Sequence, residues 1–229
     1  MSTASSSNAH GTRTDDEAVD IAREFTKLKM RLMPYLAGAA EQAHLDGTPM
    51  MRPMVLEFPD DRSGFDADTQ YMLGESLLVA PVFTADGTVE YYVPEGEWTS
   101  LIDGSLVDGR RWISATHGYD SVPLRVRPGT VLPFGADDSR PDYDWSDGVT
   151  LRCFELPDGY DAVTRVPGHD AKGSIDGVGA TTFRVRREGT AIIASSDDAH
   201  APWVLQVGER TARSEASGEI RIEIEDDAR

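Results

Sequence analysis

Carboxylates are the residues of this chain best suited to chemistry. Asp60 and Asp61 stand side by side after the apolar stretch Met50 to Phe58, and Glu57 sits within its end. Two carboxyls held at different protonation states can share the work of nucleophile and general acid. A structural reading competes with this one. Aspartates that follow an apolar run commonly build a turn, and a lone strand carboxylate such as Glu57 is usually salt-bridged or rim-exposed. A histidine at His10-Gly11 could donate a hydrogen bond to a ligand, or simply belong to a polar tail. His10, His44, His117, His169 and His200 show no conventional metal-ligand spacing, and no glycine-rich phosphate loop is present. No metal and no cofactor is therefore expected. The single cysteine, Cys153, excludes an internal disulfide framework and reads as a small buried apolar residue. Tyr91, Tyr92, Trp98, Trp112, Tyr119, Tyr143 and Trp145 could form a stacking platform, although aromatics in β-structure more often pack. Trp98 and Trp112, flanking a Gly/Asp-rich loop, are the better candidates for an exposed surface.

Charge narrows the partners. With 40 acidic and 22 basic side chains, the net charge of −18 argues against nucleic acid, whose phosphates select basic patches. No window approaches the roughly 20 apolar residues of a membrane span. The opening MSTASSSNAHGTR has no apolar centre, so the cytoplasm is the expected compartment. Lysine is nearly absent and aspartate outnumbers glutamate, a surface suited to high salt, unless codon composition explains it. Self-repulsion of this surface is screened as the Debye length falls from about 10 Å at 0.1 M to about 3 Å at 1 M salt. The melting temperature is accordingly expected to rise from low salt to molar KCl, with more than half of the rise at the low-salt end. An equally concentrated neutral osmolyte should not reproduce that part, since it acts by exclusion. A flat dependence from 0.01 to 1 M KCl would show that the charges are too widely spaced to matter.

The elements that must position these groups follow from periodicity. Residues 1–13 are Ser/Thr/Ala-rich and are expected to be a disordered tail. Thr14 and Glu17 form a T-x-x-E capping box, and Ala18, Ile21, Phe25, Leu28 and Leu32 recur at helical spacing. Pro34 should end or kink that helix near Met33, and Gly47 should close a second helical piece. Met50 to Phe58 reads as a mostly buried strand made awkward by Pro53. Asp66 to Leu73 reads as a short helix stopped by Gly74, and Leu77 to Phe83 as a buried strand. From Val89 onward alternation replaces helical spacing. Pro157-Asp158-Gly159 and Glu188-Gly189-Thr190 each predict a hairpin between flanking strands. Short strands at this spacing suggest antiparallel sandwiches, with a boundary near Gly148.

The blocks TPMMRPMVLEFPDDRSGFDADTQYMLGESLLVAPVF (Thr48 to Phe83), DDEAVDIAREFTKLKMRLMPYL, VEYYVPEGEWTSLIDGSLVDGRRW and VPLRVRPGTVLPFGADDSRPDYDW resemble glycoside hydrolase family 31. The forms MMRPM, LEFPDD, QYMLG, HGY and RPDYDW are similar to its α-xylosidase branch. The resemblance implies an α+β, mainly β fold. Residues 14–75 would be the last elements of a (β/α)8 barrel, 76–148 a proximal β-sandwich domain and 149–229 a distal β-domain. It implies that both catalytic aspartates lie on earlier barrel strands, so none is expected in this chain and the isolated chain is expected to be inactive. It places Pro53 early in the eighth barrel strand and Asp60-Asp61 in a structural turn. It implies α-xylosides or α-glucosides as substrates of the parent enzyme, and His10 as a contact to the bound sugar, although several loop residues of the pattern after His10-Gly11 are missing. A barrel that cannot close leaves apolar faces at Phe25, Leu28, Leu32, Val55 and Leu56 without partners, favouring self-association or a separate catalytic subunit. The reading from a different class is a non-catalytic β-sandwich module that binds carbohydrate or supports another subunit.

Overall fold

The computed structural model describes residues 11–169, 174–175 and 178–224. Helix α1 (Gly11–Arg31) is followed by α2 (Met33–Asp46). Because α1 starts at Gly11, Thr14 falls within the helix and not at its N-terminus, where the capping-box expectation placed it. The break falls at Leu32, ahead of Pro34, whose missing N–H is harmless in a first helical turn. Leu32 stays near helical geometry and donates to Leu28 O at 3.0 Å, so the chain bends and does not unwind. Gly47, at φ 80°, closes α2 in the left-handed conformation and donates to Ala43 O, as its glycine predicted. Tyr143 Oη donates to Met30 O, and Gly135 N–H donates to Arg31 O. The end of α1 is thereby pinned to the β-structure through carbonyls that have no partner within the helix.

Between residues 50 and 83 the structure corrects the periodicity. Met50 to Phe58 is not one strand: β1 (Met51–Arg52) is followed by a single helical turn, α3 (Met54–Glu57). Pro53 caps that turn at φ −63°, ψ 152°, where a residue without a donor fits and a central strand position would not. Asp66 to Leu73 is not a helix either. A 3-10 turn (Arg62–Gly64) leads to β2 (Tyr71–Leu73), which pairs with β1 and with β3 (Leu77–Val79). Gln70 holds this arrangement from outside the local sequence. Its amide nitrogen donates to Tyr92 O at 2.8 Å and its oxygen accepts from Tyr92 N at 2.6 Å, imitating a ladder pair. The apolar run from Leu77 stops being strand after Val79, before Pro81, and Phe83 is 76% exposed.

The remaining strands are β4 (Thr88–Val93), β5 (Glu97–Ser100), β6 (Leu106–Asp108), β7 (Arg111–Thr116), β8 (Leu124–Val126) and β9 (Thr130–Phe134). They continue with β10 (Thr150–Phe154), β11 (Asp161–Pro167), β12 (Ala180–Glu188), β13 (Ala191–Ser196), β14 (Trp203–Val207), β15 (Arg210–Ser214) and β16 (Gly218–Glu223). A six-stranded antiparallel sheet runs in the order β1-β2-β3-β8-β5-β6, and β4 pairs with β7 as a separate ribbon. Met72, Leu78, Tyr91, Val93 and Trp98 fill the space beside them. Two four-stranded sheets, β15-β14-β10-β9 and β11-β12-β13-β16, enclose Leu151, Phe183, Val185, Ala194, Trp203 and Leu205. Phe183 and Trp203 meet edge to face at 5.2 Å between centroids.

The Glu188-Gly189-Thr190 turn makes the predicted hairpin, with Glu188 opposite Ala191. Pro157-Asp158-Gly159 does not. It links β10 to β11, which belong to different sheets, so this turn changes layer where a hairpin was expected. β10 also runs parallel to β14, so the set is not purely antiparallel. β9 pairs along its length with β10. Helix α2 packs on both β9 and β11, and its Ala37, with Met33, enters the core of the two-sheet sandwich. Leu32 and Tyr35 meanwhile join a third cluster with Leu77, Val126 and Leu132. Among the described residues no helix is long and apolar enough to cross a membrane.

Candidate functional site

Glu57 ends α3 and is held between two arginines. Arg52 Nη1 lies 3.1 Å from Oε2, and Arg127 Nη1 lies 2.7 Å from Oε1. The Arg52 side chain is only 5% exposed. Its remaining donors go to Gln42 Oε1 of α2 at 2.7 Å and to Pro49 O at 3.1 Å. Arg127 also covers the face of Phe58, 4.7 Å from the ring centroid. Charged groups this buried persist only when paired and hydrogen-bonded. Glu57 thus ties α2, β1 and the chain after β8 together, the salt-bridged alternative to a catalytic role. Both of its oxygens are committed.

A cleft of about 640 Å³, lined at one end by Glu57 and Arg127 of this junction, opens between the Asp60-Asp61 turn and the β4–β7 ribbon. Asp61 belongs to a turn closed by its own N–H on Phe58 O at 3.1 Å. Its Oδ1 accepts from Ser63 N at 3.2 Å, capping the 3-10 turn, and its Oδ2 accepts from Tyr92 Oη at 2.9 Å. Burial, then the hydrogen bond to Asp61, raise the Tyr92 phenol above its usual range, so it remains a donor. Arg110 and Glu95 form an exposed ion pair at the rim. Arg110 has φ 56°, a left-handed backbone rare for a residue with a Cβ. Trp112 lies opposite Tyr92 in the ribbon register, with ring centroids 5.7 Å apart, and is 42% exposed. Trp98, by contrast, is fully buried and donates from Nε1 to Pro94 O at 3.0 Å, so it is a packing residue. Tyr91, Tyr92, Tyr143 and Trp145 are buried as well, so the seven aromatics do not form one platform.

His10 lies outside the described residues. The structure scatters the other histidines. His117 Nδ1 is 2.9 Å from Ser121 Oγ, with its pKa lowered by burial and then by Arg125. His200 pairs with Asp144 at 3.0 Å, and His169 Nε2 contacts Tyr143 O at 2.6 Å. Among the described residues no group of three or more His, Cys, Asp or Glu could hold a metal ion. Cys153 is buried, and that burial pushes its thiol up to about 12, far from nucleophilic. Sequence reasoning missed Arg52, Arg110 and Arg127. Only Arg110 carries a local signal, its position after Asp108-Gly109 at a strand end.

Comparison with known proteins places this architecture. The model described as Glycosyl hydrolase family 31 C-terminal domain matches residues 47–132, and Alpha-xylosidase YicI, C-terminal domain matches residues 144–229. An alpha-xylosidase of Emericella nidulans is 42% identical over 144 residues, 59% of this chain and 18% of that protein. Alpha-xylosidase XylQ of Lactiplantibacillus pentosus is 37% identical over 149 residues, 63% of this chain and 19% of that protein. The solved GH31 dextranase FjDex31A of Flavobacterium johnsoniae, complexed with glucose, aligns with 83% of this chain and 25% of its own at TM-score 0.71 and 26% identity. The chain spans less than a fifth of the length of these curated relatives. It belongs to glycoside hydrolase family 31 and corresponds to the C-terminal region of its α-xylosidase-like members.

Proposed function

We propose that the chain serves as the C-terminal part of a retaining α-xylosidase- or α-glucosidase-like hydrolase and is inactive by itself. Residues 14–75 complete the catalytic barrel, while residues 76–148 and 149–229 form proximal and distal β-domains that support it. The nucleophile and acid are aspartates of the barrel portion expected upstream of the matched region. With two carboxyls about 5–5.5 Å apart, such enzymes form and then hydrolyse a glycosyl-aspartate intermediate. His10, ahead of α1, contributes a contact to the sugar. The observation that carries this reading is the exposed apolar surface of the segment assigned to the barrel. Met51 is 59%, Val55 49% and Leu56 51% exposed, while Leu32 of the same segment is buried at 6%. Apolar side chains left in water on β1, an edge strand, and on α3 suit a partner surface.

Co-expression with the catalytic barrel of a family 31 α-xylosidase, cut ahead of its segment equivalent to Asp15, tests the reading. The chain alone should release no p-nitrophenol from the α-xyloside or the α-glucoside, and the two pieces together should form a complex that does. Turnover by the homogeneous chain that responds to its own mutations would overturn the proposal. So would a soluble barrel piece that neither binds the chain nor gains activity from it.

A further inference from the structure

We infer that Arg31 and Arg152, where α1 meets strands β9 and β10, form a binding site for a phosphate group. Arg31 ends α1, and Arg152 stands in the middle of β10 opposite Leu132 of β9. Their guanidiniums cover the same ring. Arg31 Cζ lies 4.4 Å and Arg152 Cζ 5.2 Å from the centroid of buried Phe134, and Arg152 Cζ is also 5.3 Å from that of buried Phe154. Both arginines are half-buried. Arg31 donates from Nε to Gly135 O at 3.0 Å. Among the described residues neither meets a carboxylate.

This is unusual for the chain. Acidic side chains outnumber basic ones 40 to 22, so carboxylates are abundant partners. Arg52 and Arg127 share Glu57, and half-buried Arg186 holds both Glu188 and Glu219. Arg125 and Arg187 donate to the carbonyls of Ser105 and Leu156. Among the described arginines that are not exposed, Arg152 is the one with neither kind of acceptor. Burial, and then Arg31, lower its pKa, so the fold opposes a charge that it has itself set in place. An anion between the two cations removes that conflict. Stacking on a ring covers the face of a guanidinium and leaves its N–H edge, which fits the oxygens of phosphate or carboxylate as a fork. Two cations around one ring favour two negative charges on one compact group. A phosphate monoester carries about −1.5 to −2 at pH 7, a carboxylate only one. Phe134 and Phe154 hold the forks before any ligand arrives, so little side-chain freedom remains to be lost. The acidic surface repels anions at long range, but that field is screened beyond about 8 Å at physiological ionic strength. The site shares no residue with the Asp60-Asp61 cleft and needs no catalytic barrel, so it goes beyond the proposed role in hydrolysis.

The experiment is titration of the full chain with inorganic phosphate and with glucose 6-phosphate at about 0.15 M ionic strength, read by calorimetry and phosphorus-31 line width. Both readouts should saturate at one site per chain. Equal affinities would identify inorganic phosphate as sufficient, and a tighter monoester would identify an organic phosphate; either result sustains the inference. Arg152→Met and Arg31→Met should each weaken binding at least about tenfold, the loss expected for a hydrogen bond to a charged group. Arg152→Lys, which keeps the charge without the fork, should weaken it severalfold. Arg213→Met removes an exposed arginine already paired with Glu215 and should bind as the wild type does. Without ligand, Arg152→Met should melt no lower than the wild type, because it removes one of two like charges. Absence of saturable heat or broadening up to about 20 mM phosphate, well above an ordinary weak Kd, would overturn the inference. Acetate binding as tightly as phosphate would overturn the ligand class. An Arg152→Met variant that melts lower yet binds phosphate unchanged would make Arg152 a packing residue and overturn the site.

Discussion

Glu57→Gln should lower the melting temperature by roughly 6–12 °C. The substitution keeps the shape of the side chain and removes the charge between Arg52 and Arg127. Breaking a buried pair from one side costs about 3–5 kcal/mol, because the surviving charge stays buried without compensation. The low end applies here. Arg127 is 36% exposed and can turn to water, and Arg52 keeps its bonds to Gln42 and Pro49. About 3 kcal/mol in a chain of this size corresponds to roughly 2–4 °C per kcal/mol. Glu215→Gln is the control. Its partner Arg213 is 58% exposed and Glu215 itself 79%, where ion pairs contribute about 0–1 kcal/mol. The double variant Arg52→Met with Glu57→Leu should recover most of the loss, since an apolar pair can replace a buried ionic one. A Glu57→Gln melting temperature within about 2 °C of the wild type would show that water reaches the junction and that it holds nothing together.

That junction was invisible in the sequence, for a reason that recurs through the molecule. Features written into consecutive residues were legible: the bend before Pro34, the left-handed stop at Gly47, the hairpin at Glu188-Gly189-Thr190. Features decided by partners far along the chain were misread. Asp66 to Leu73 has helix-compatible spacing, yet Gln70 clasps the backbone of Tyr92, 22 residues away, and only Tyr71–Leu73 is regular, as strand. Met50 to Phe58 has the composition of a strand, yet Pro53 forfeits the ladder bond and a helical turn satisfies the backbone instead. Pro157-Asp158-Gly159 is a turn as expected, but a local signal cannot say whether its two strands share a sheet. The candidate site follows the same division. Asp60-Asp61 was legible as a turn, and Trp112 as one of two aromatics worth watching. The cleft itself needs Tyr92 and Arg110 brought onto that turn by a ribbon whose pairing no spacing rule reveals.

Gly109→Ala should destabilise the chain by about 3 kcal/mol or more and should distort the cleft at the same time. Two connections cross side by side between the β4–β7 ribbon and the six-stranded sheet: residues 94–96 lead from β4 to β5, and Gly109-Arg110 lead from β6 to β7. Gly109 N–H donates to Gly96 O at 2.8 Å, which draws the two backbones together. A Cβ on Gly109 would stand 1.7 Å from Pro94 O and 2.9 Å from Gly96 O. Those atoms are backbone, so no rotamer change relieves the contact and the crossings must separate. Arg110 and Glu95 ride on these two connections, so the ion pair at the rim of the cleft should be displaced together with the loss of stability. Gly104→Ala separates sterics from backbone preference. Gly104 sits at φ 73° with nothing within 4 Å of an added Cβ, so it should cost only the roughly 1–2 kcal/mol of a left-handed alanine. Chemical denaturation of both variants checks the difference. Equal losses at the two positions would mean that the crossings yield easily, and that the cleft is not held rigid by the contact between Gly109 and Pro94.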